Sequence, residues 1–245
     1  MINAVIFDLD GTLVQTEALK GLSYARAIMD LCPDSVTEAD ALAAFKDAVG
    51  LSRQEAAQKL IDRFDLAERA GVYMDELNVG TPWQAFVQIR LRHYENMIAN
   101  PEMLQGVSCQ YNLSLLDAAR RHQLKTGLAT MSHCPQAHRV LQILGIEDHF
   151  DFIATREDVE NGKPDPEIYL MVAGQLHTAP AETLVIEDST NGVQAAINAG
   201  MPVVAVANDL TRDSLYASGL LAERYIAAHR ADLPDVVSQY IDLRG

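Results

Sequence analysis

The sequence predicts an α/β protein: a doubly wound, mainly parallel sheet, interrupted after its first strand by an all-helical insertion. Three observations carry that reading. A compact apolar run at residues 2–8 ends in acid and glycine, as a buried strand does where it meets a loop. From about residue 100 onward, short apolar runs alternate with helical stretches, the rhythm of right-handed βαβ crossovers. Between about 16 and 96 no strand-like run stands out, and the stretch is amphipathic and rich in Ala, Leu, Glu and Gln. The expected division is a core from 1–15 and 97–245, with 16–96 as a separate helical domain.

The elements follow in order. After the opening strand, helices are expected over Glu17–Met29, Glu38–Ala48, Ser52–Phe64 and Pro82–Ile98. Pro82 suits a first helical turn, and Gly50-Leu51-Ser52 reads as a helix stop followed by an N-cap. Beyond the insertion, Lys125–Ala129 precedes a helix starting near Pro135, and Phe152–Ala154 one near Asp165. Leu184–Ile186 leads into a helix over roughly 190–199, and Val203–Val206 into one near 210–218. Helices cover both faces of such a sheet, so its strands read as continuous apolar runs. The chain shows no internal repeat and no low-complexity segment.

Composition removes several function classes. Hydrophobic residues make up 49% and charged residues 22% of the 245, a profile that supports a packed core. No run approaches the roughly 18 apolar residues of a membrane span, so no membrane role is expected. Lys plus Arg is 19 against 34 Asp plus Glu, a formal net charge of −15. Nucleic acids and anionic membranes are bound through clustered Lys and Arg. The nearest approach, Arg120-Arg121-His122, reads as the end of a helix, so no nucleic-acid partner is expected. Cys32, Cys109 and Cys134 are too few and too scattered for a disulfide framework. The amino terminus lacks the basic region of a secretory leader, and a reducing, cytoplasmic home is expected.

In an open α/β sheet, ligands bind beyond the carboxyl ends of the strands. The polar residues just past the expected strands are Asp8-Leu9-Asp10-Gly11-Thr12, Thr130-Met131-Ser132, Gly162-Lys163-Pro164-Asp165-Pro166 and Glu187-Asp188-Ser189. Carboxylates suit a hard cation, and lysine with hydroxyls suits phosphate oxygens. Taken singly, each has a plainer reading. Asp8 ends a strand, Asp10-Gly11 makes a turn, Thr130 and Glu187-Asp188-Ser189 cap helices, and Lys163 is solvated. Thr12 reads as orienting its loop. His133 and His138 share a helix face at metal-like spacing but lack acidic or Cys company, so packing and solvation explain them better.

As a set, Asp8-Leu9-Asp10-Gly11-Thr12-Leu13, Thr130, Lys163-Pro164 and Glu187-Asp188 resemble, in order, the four motifs of the haloacid dehalogenase (HAD) superfamily. The helical insertion after the first motif resembles the β-phosphoglucomutase-like branch, in which a helical cap domain accompanies a Rossmann-like core. The resemblance covers essentially the whole chain. It implies a Mg2+-dependent phosphatase acting on a small phosphorylated metabolite such as a sugar phosphate. In that reading Asp8 is the nucleophile that forms an aspartyl-phosphate, and Asp10 is the general acid and base. Thr130 and Lys163 bind the transferring phosphoryl group. Asp8, Asp188 and the backbone carbonyl of Asp10 hold the metal, with Glu187 a direct or water-bridged ligand.

Gly50-Leu51-Ser52-Arg53 resembles the cap segment whose arginine touches a substrate phosphate, which makes Arg53 a candidate substrate contact. Lys20 is a second candidate; it stands where hexose-phosphate mutases of this branch carry a histidine. Gln15 stands where aspartate is common, and His133-Cys134 replaces the Lys-Asn usual in those mutases. These departures fall on positions that handle the sugar and its second phosphate. Hydrolysis is therefore expected ahead of the phosphomutase alternative. A dehalogenase is disfavoured because Asp10 is present, and a non-catalytic binding protein because the acidic set is intact. A monomer or weak homodimer is expected.

Overall fold

The structure is a computed structural model that describes residues 1–33, 35–48 and 51–241. Its strands are β1 (Ala4–Phe7), β2 (Lys125–Ala129), β3 (Phe152–Ala154), β4 (Thr183–Glu187), β5 (Val203–Val206) and β6 (Ile226–Ala227). They form one sheet in the order β3-β2-β1-β4-β5-β6, with every pair parallel. This is the doubly wound α/β class that the sequence predicts. β1 and β4 are buried along their whole length, which is why each appears in the sequence as an unbroken apolar run.

The winding direction reverses at β1. From there the chain steps outward through β2 and β3, then returns to the other side of β1 for β4, β5 and β6. The crevice between the carboxyl ends of β1 and β4 is therefore the switch point, where open sheets bind ligands. Register levels the strand ends there: Phe7 pairs with Leu128 on one side and Ile186 on the other. Asp8 consequently leaves the sheet beside Ala129 and Glu187.

Contacts divide the chain into two units, Met1–Gln15 with Leu104–Gly245, and Thr16–Met103. The first holds the sheet, flanked by helices that include Gln110–Arg121, Cys134–Leu144, Glu167–Gln175 and Thr190–Asn198. Within it, Asn112 donates from Nδ2 to the Thr12 carbonyl at 2.7 Å, fixing the loop after β1.

The second unit is built from helices, the longest being Thr16–Leu31, Arg53–Phe64 and Pro82–Ile98, around a core that includes Tyr24, Ile28, Leu60 and Phe86. Ser52 caps its helix with a reciprocal pair: the Glu55 N–H donates to the Ser52 hydroxyl, and the Ser52 N–H to the Glu55 carboxylate. Gly50, the expected stop before that cap, lies outside the described residues. Arg90 is buried, with its guanidinium 4.8 Å from the ring centres of both Tyr24 and Tyr94. Among the described residues, no helix is long and apolar enough to cross a membrane.

Candidate active site

Asp8 follows β1, and its N–H donates to the Ile186 carbonyl at 3.0 Å, so its position is set by the sheet rather than by a free loop. Lys163 reaches it from the loop before the helix Glu167–Gln175. The ammonium lies 2.8 Å from Asp8 Oδ1, 2.7 Å from Glu187 Oε1 and 3.0 Å from the Ala129 carbonyl. Lys163 is thus held at a crossing of three strand ends, with only 5% of its side chain exposed.

Glu187 ends β4 and is buried. Its Oε1 also accepts from the Tyr169 hydroxyl at 3.0 Å, and its Oε2 accepts from the N–H groups of Asp188 and Ser189 and the Ser189 hydroxyl. Five donors on two oxygens make Glu187 the anchor that joins Lys163 to the start of the helix Thr190–Asn198. Gly192 permits this approach, since a Cβ there would overlap the Glu187 carboxylate. Asp188 faces the crevice with one oxygen tied down: Asn208 Nδ2 donates to its Oδ2 at 2.8 Å. Asn208 is itself fixed, its Oδ1 accepting from the N–H groups of Leu210 and Thr211. Asp10 Oδ2 accepts from the Ser132 hydroxyl at 2.5 Å and from Thr130 Oγ1 at 3.3 Å.

The charges do not balance. Asp8, Glu187 and Asp188 bring oxygens within 4.8 Å of one another, all buried. Among the described residues the cation against these three carboxylates is the Lys163 ammonium, so the cluster with all three ionised carries two negative charges in excess. Titration follows that deficit. Burial, together with the neighbouring charges of Glu187 and Asp10, pushes the Asp8 carboxyl up to about 7 although Lys163 pulls the other way. Burial, then Glu187 and Asp8, hold Asp188 well above the usual carboxylate range. Glu187 is also opposed by burial, but Lys163 and its other donors keep it below that range. Lys163 stays charged despite burial because Asp8 and Glu187 surround it. A buried oxygen cluster two charges short of neutrality fits a hard divalent cation.

Gly11 controls how closely the chain can turn here. It adopts φ +92°, and a Cβ would overlap the Asp188 carboxylate. Gly11→Ala is expected to lower the unfolding free energy by about 1–3 kcal/mol and to displace Asp188, reducing turnover and metal affinity together. Denaturant unfolding and calorimetric metal titration check both.

The structure therefore brings Asp8, Lys163, Glu187 and Asp188 into one cluster, with Asp10 and Thr130 joined beside it. Lys20 and Arg53 belong to the helical unit, where Lys20 pairs with Glu17 at 2.5 Å and Arg53 opens its helix behind the Ser52 cap. Ser132, which the sequence places among the polar residues past β2 without a role of its own, binds Asp10 directly. Two further residues of the site, Asn208 and Tyr169, lie outside the sequence motifs. Asn208 stands just past β5, at the same carboxyl edge of the sheet. Tyr169 is one aromatic inside an apolar helix, with no signal of its own. His133 and His138 are each taken by a separate carboxylate, Glu157 and Glu147.

The family model of haloacid dehalogenase-like hydrolases matches residues 5–206. The chain belongs to that family. Among curated members, this HAD-like hydrolase is 28% identical over 200 residues to a phosphorylated carbohydrates phosphatase of Thermotoga maritima, covering 82% of each chain. It is 30% identical over 208 residues to a beta-phosphoglucomutase of Bacillus subtilis, covering 84% of this chain and 83% of that one. A solved beta-phosphoglucomutase from Clostridium difficile superposes with a TM-score of 0.63, covering 98% of this chain and 99% of that one. At 24% identity that likeness shows a shared fold.

Proposed function

We propose that this HAD-like hydrolase is a Mg2+-dependent phosphatase that releases phosphate from a small phosphorylated metabolite, a sugar phosphate being the favoured class. The observation that carries the reading is the buried Asp8 carboxylate at the switch point, 2.8 Å from the Lys163 ammonium, in a cluster that lacks two positive charges. A phosphorylated-carbohydrate phosphatase among the curated relatives supports the substrate class.

The chemistry divides into two balanced steps. An Asp8 oxygen attacks phosphorus, the bond from phosphorus to the leaving oxygen breaks, and the Asp10 carboxyl gives that oxygen its proton. Water then attacks phosphorus and passes a proton to Asp10, and the bond to Asp8 breaks to give inorganic phosphate and the original carboxylate. Lys163 places positive charge where the phosphoryl oxygens gain negative charge. Ser132 and Thr130 hold Asp10 by its Oδ2. Asp8, Asp188 and the Asp10 carbonyl would hold the metal, which would supply the charge that lets a phosphate dianion approach these acids. Glu187, its oxygens already engaged, keeps Lys163 in place and lies beside that ligand set.

The unit of Met1–Gln15 and Leu104–Gly245 carries this chemistry, and the helical unit Thr16–Met103, which begins where the sequence places it and ends a few residues later, acts as a cap whose Arg53 and Lys20 contact substrate. The protein works in the cytoplasm as a monomer or weak homodimer.

Chelation is expected to reduce phosphate release to background, and added Mg2+ to restore it; a chelator-resistant rate contradicts the metal assignment. The B. subtilis mutase relative favours a second reading, phosphosugar isomerisation on the same site. A panel of hexose and pentose phosphates separates the two. Free phosphate supports hydrolysis, whereas isomer formed without free phosphate overturns it.

A further inference from the structure

Gly11 is the residue through which Asp10 joins the rest of its loop, and its own structure restrains it little. The Asp188 carboxylate takes the space a Cβ would fill, so no side chain limits its backbone. A neighbour supplies the missing restraint. Gln15 Nε2 donates to the Gly11 carbonyl at 2.5 Å and to Cys109 Sγ at 3.3 Å, one hydrogen of the amide serving each acceptor. A carbonyl only accepts, so the nitrogen of the Gln15 amide, not its oxygen, must face Gly11.

Both ends of this bridge are fixed by backbone. The Gln15 N–H donates to the Val107 carbonyl and the Cys109 N–H to the Leu13 carbonyl, each at 2.8 Å. Val14 and Ser108 pair antiparallel between them. Cys109 is buried, 1% exposed, and caps the start of the helix Gln110–Arg121. The loop also closes on itself: the Gly11 N–H donates to the Val14 carbonyl, and the Leu13 and Val14 N–H groups donate to the Leu9 carbonyl. Those bonds engage the N–H groups of the loop. Gln15 engages the Gly11 carbonyl, and with it the plane of the next peptide. An ionised Asp or Glu at position 15 has no proton to give and would set oxygen against oxygen.

We infer that Gln15 is a positioning residue for the acid–base step: its amide clamps the Gly11 carbonyl and thereby holds Asp10 where proton transfer needs it. The inference rests on the phosphatase reading for the role of Asp10, whereas the clamp is a property of the loop itself. A group displaced by about 1 Å from its working position can lose about 100-fold in rate.

Gln15→Glu keeps the side-chain length and replaces the donor by an acceptor. It is assayed with whichever of the hexose and pentose phosphates the parent hydrolyses fastest, at saturating Mg2+. Near pH 8 its kcat is expected to fall about 10- to 100-fold while KM stays within about twofold, because Lys163 still holds the phosphoryl group. Lowering the pH to about 5.5 protonates the introduced carboxyl, which can then donate to the Gly11 carbonyl. The variant-to-parent ratio of kcat should rise at least about fivefold over that interval. Gln15→Met, which has no donor at either pH, should show a similar loss at both. Hydrogen exchange of the Gly11, Leu13 and Val14 amides reads the clamp without turnover, and their protection should drop about tenfold in Gln15→Met. A parental kcat in Gln15→Glu near pH 8, a ratio that ignores pH, or a raised KM with kcat intact overturns the inference. So does parental protection in Gln15→Met. A parent inactive on the whole panel defeats the phosphatase reading instead, and hydrogen exchange then decides the clamp alone.

Discussion

Asp8→Asn should abolish phosphate release, by about four orders of magnitude or more, while the protein remains folded. The amide matches the carboxylate in shape but cannot attack phosphorus, and no other acid of the cluster leaves the sheet at that point. Stability supplies an independent readout. In the metal-free protein the Asp8 carboxyl titrates at about 7, against 3.8 for an unperturbed aspartate, with burial the largest cause. A group whose pKa is raised by folding stabilises the native state below its unfolded value. That contribution is lost as pH climbs through the folded value. Asparagine does not titrate, so the variant escapes the loss. The metal-free variant is expected to match wild type near pH 4 and to exceed it at pH 8. A shift of about 3 units corresponds to at most roughly 4 kcal/mol. Differential scanning calorimetry at the two pH values with chelator present measures the gap. Parallel behaviour of the two proteins would remove Asp8 from the strained centre of the cluster.

Lys163→Met should damage both stability and turnover. The ammonium has three acceptors, two of them the buried carboxylates of Asp8 and Glu187. Methionine fills similar space and leaves both acids without their cation, a change that costs about 3–5 kcal/mol where a buried pair is broken. Loss of positive charge from the phosphoryl oxygens should also lower kcat by about 100- to 1,000-fold. Glu187→Gln added to Lys163→Met removes one stranded charge, so the double variant should be more stable than the sum of the single losses allows. Denaturant unfolding of the three variants decides it. Simple additivity would mean that the Lys163–Glu187 contact carries no coupling.

The parts of this molecule that were legible in sequence are those governed by local rules. β1, β5 and the middle of β4 are buried apolar runs that end in punctuation, so their pattern is unbroken; β2 opens on an exposed Lys125 and β3 is a partly buried run of three, and both are read from the strand–helix rhythm around them. β6 is only Ile226–Ala227, too short for any period to register. The helices Ala67–Gly71 and Met74–Leu77 span little more than one turn each and leave no periodic signal for the same reason. Strand ends gave an inventory of acids and one lysine, because ligands gather at the carboxyl edge of such sheets. Which oxygen meets which donor depends on side-chain directions from separate crossovers. Glu187 sits beside Asp188 in sequence, yet its oxygens are filled from Lys163, Tyr169 and the following turn. The Glu157 carboxylate reaches Cys134 across 23 residues, and no spacing rule announces that contact.

Chemical trapping addresses the covalent step itself. Enzyme quenched during turnover is reduced with borohydride, and its amino-terminal peptide is sequenced by mass spectrometry. Hydride reduces an acyl phosphate to an alcohol and leaves free carboxylates intact, so homoserine should appear at residue 8. Homoserine at Asp10 or elsewhere, or an unmodified Asp8 in enzyme that is turning over, would contradict the account.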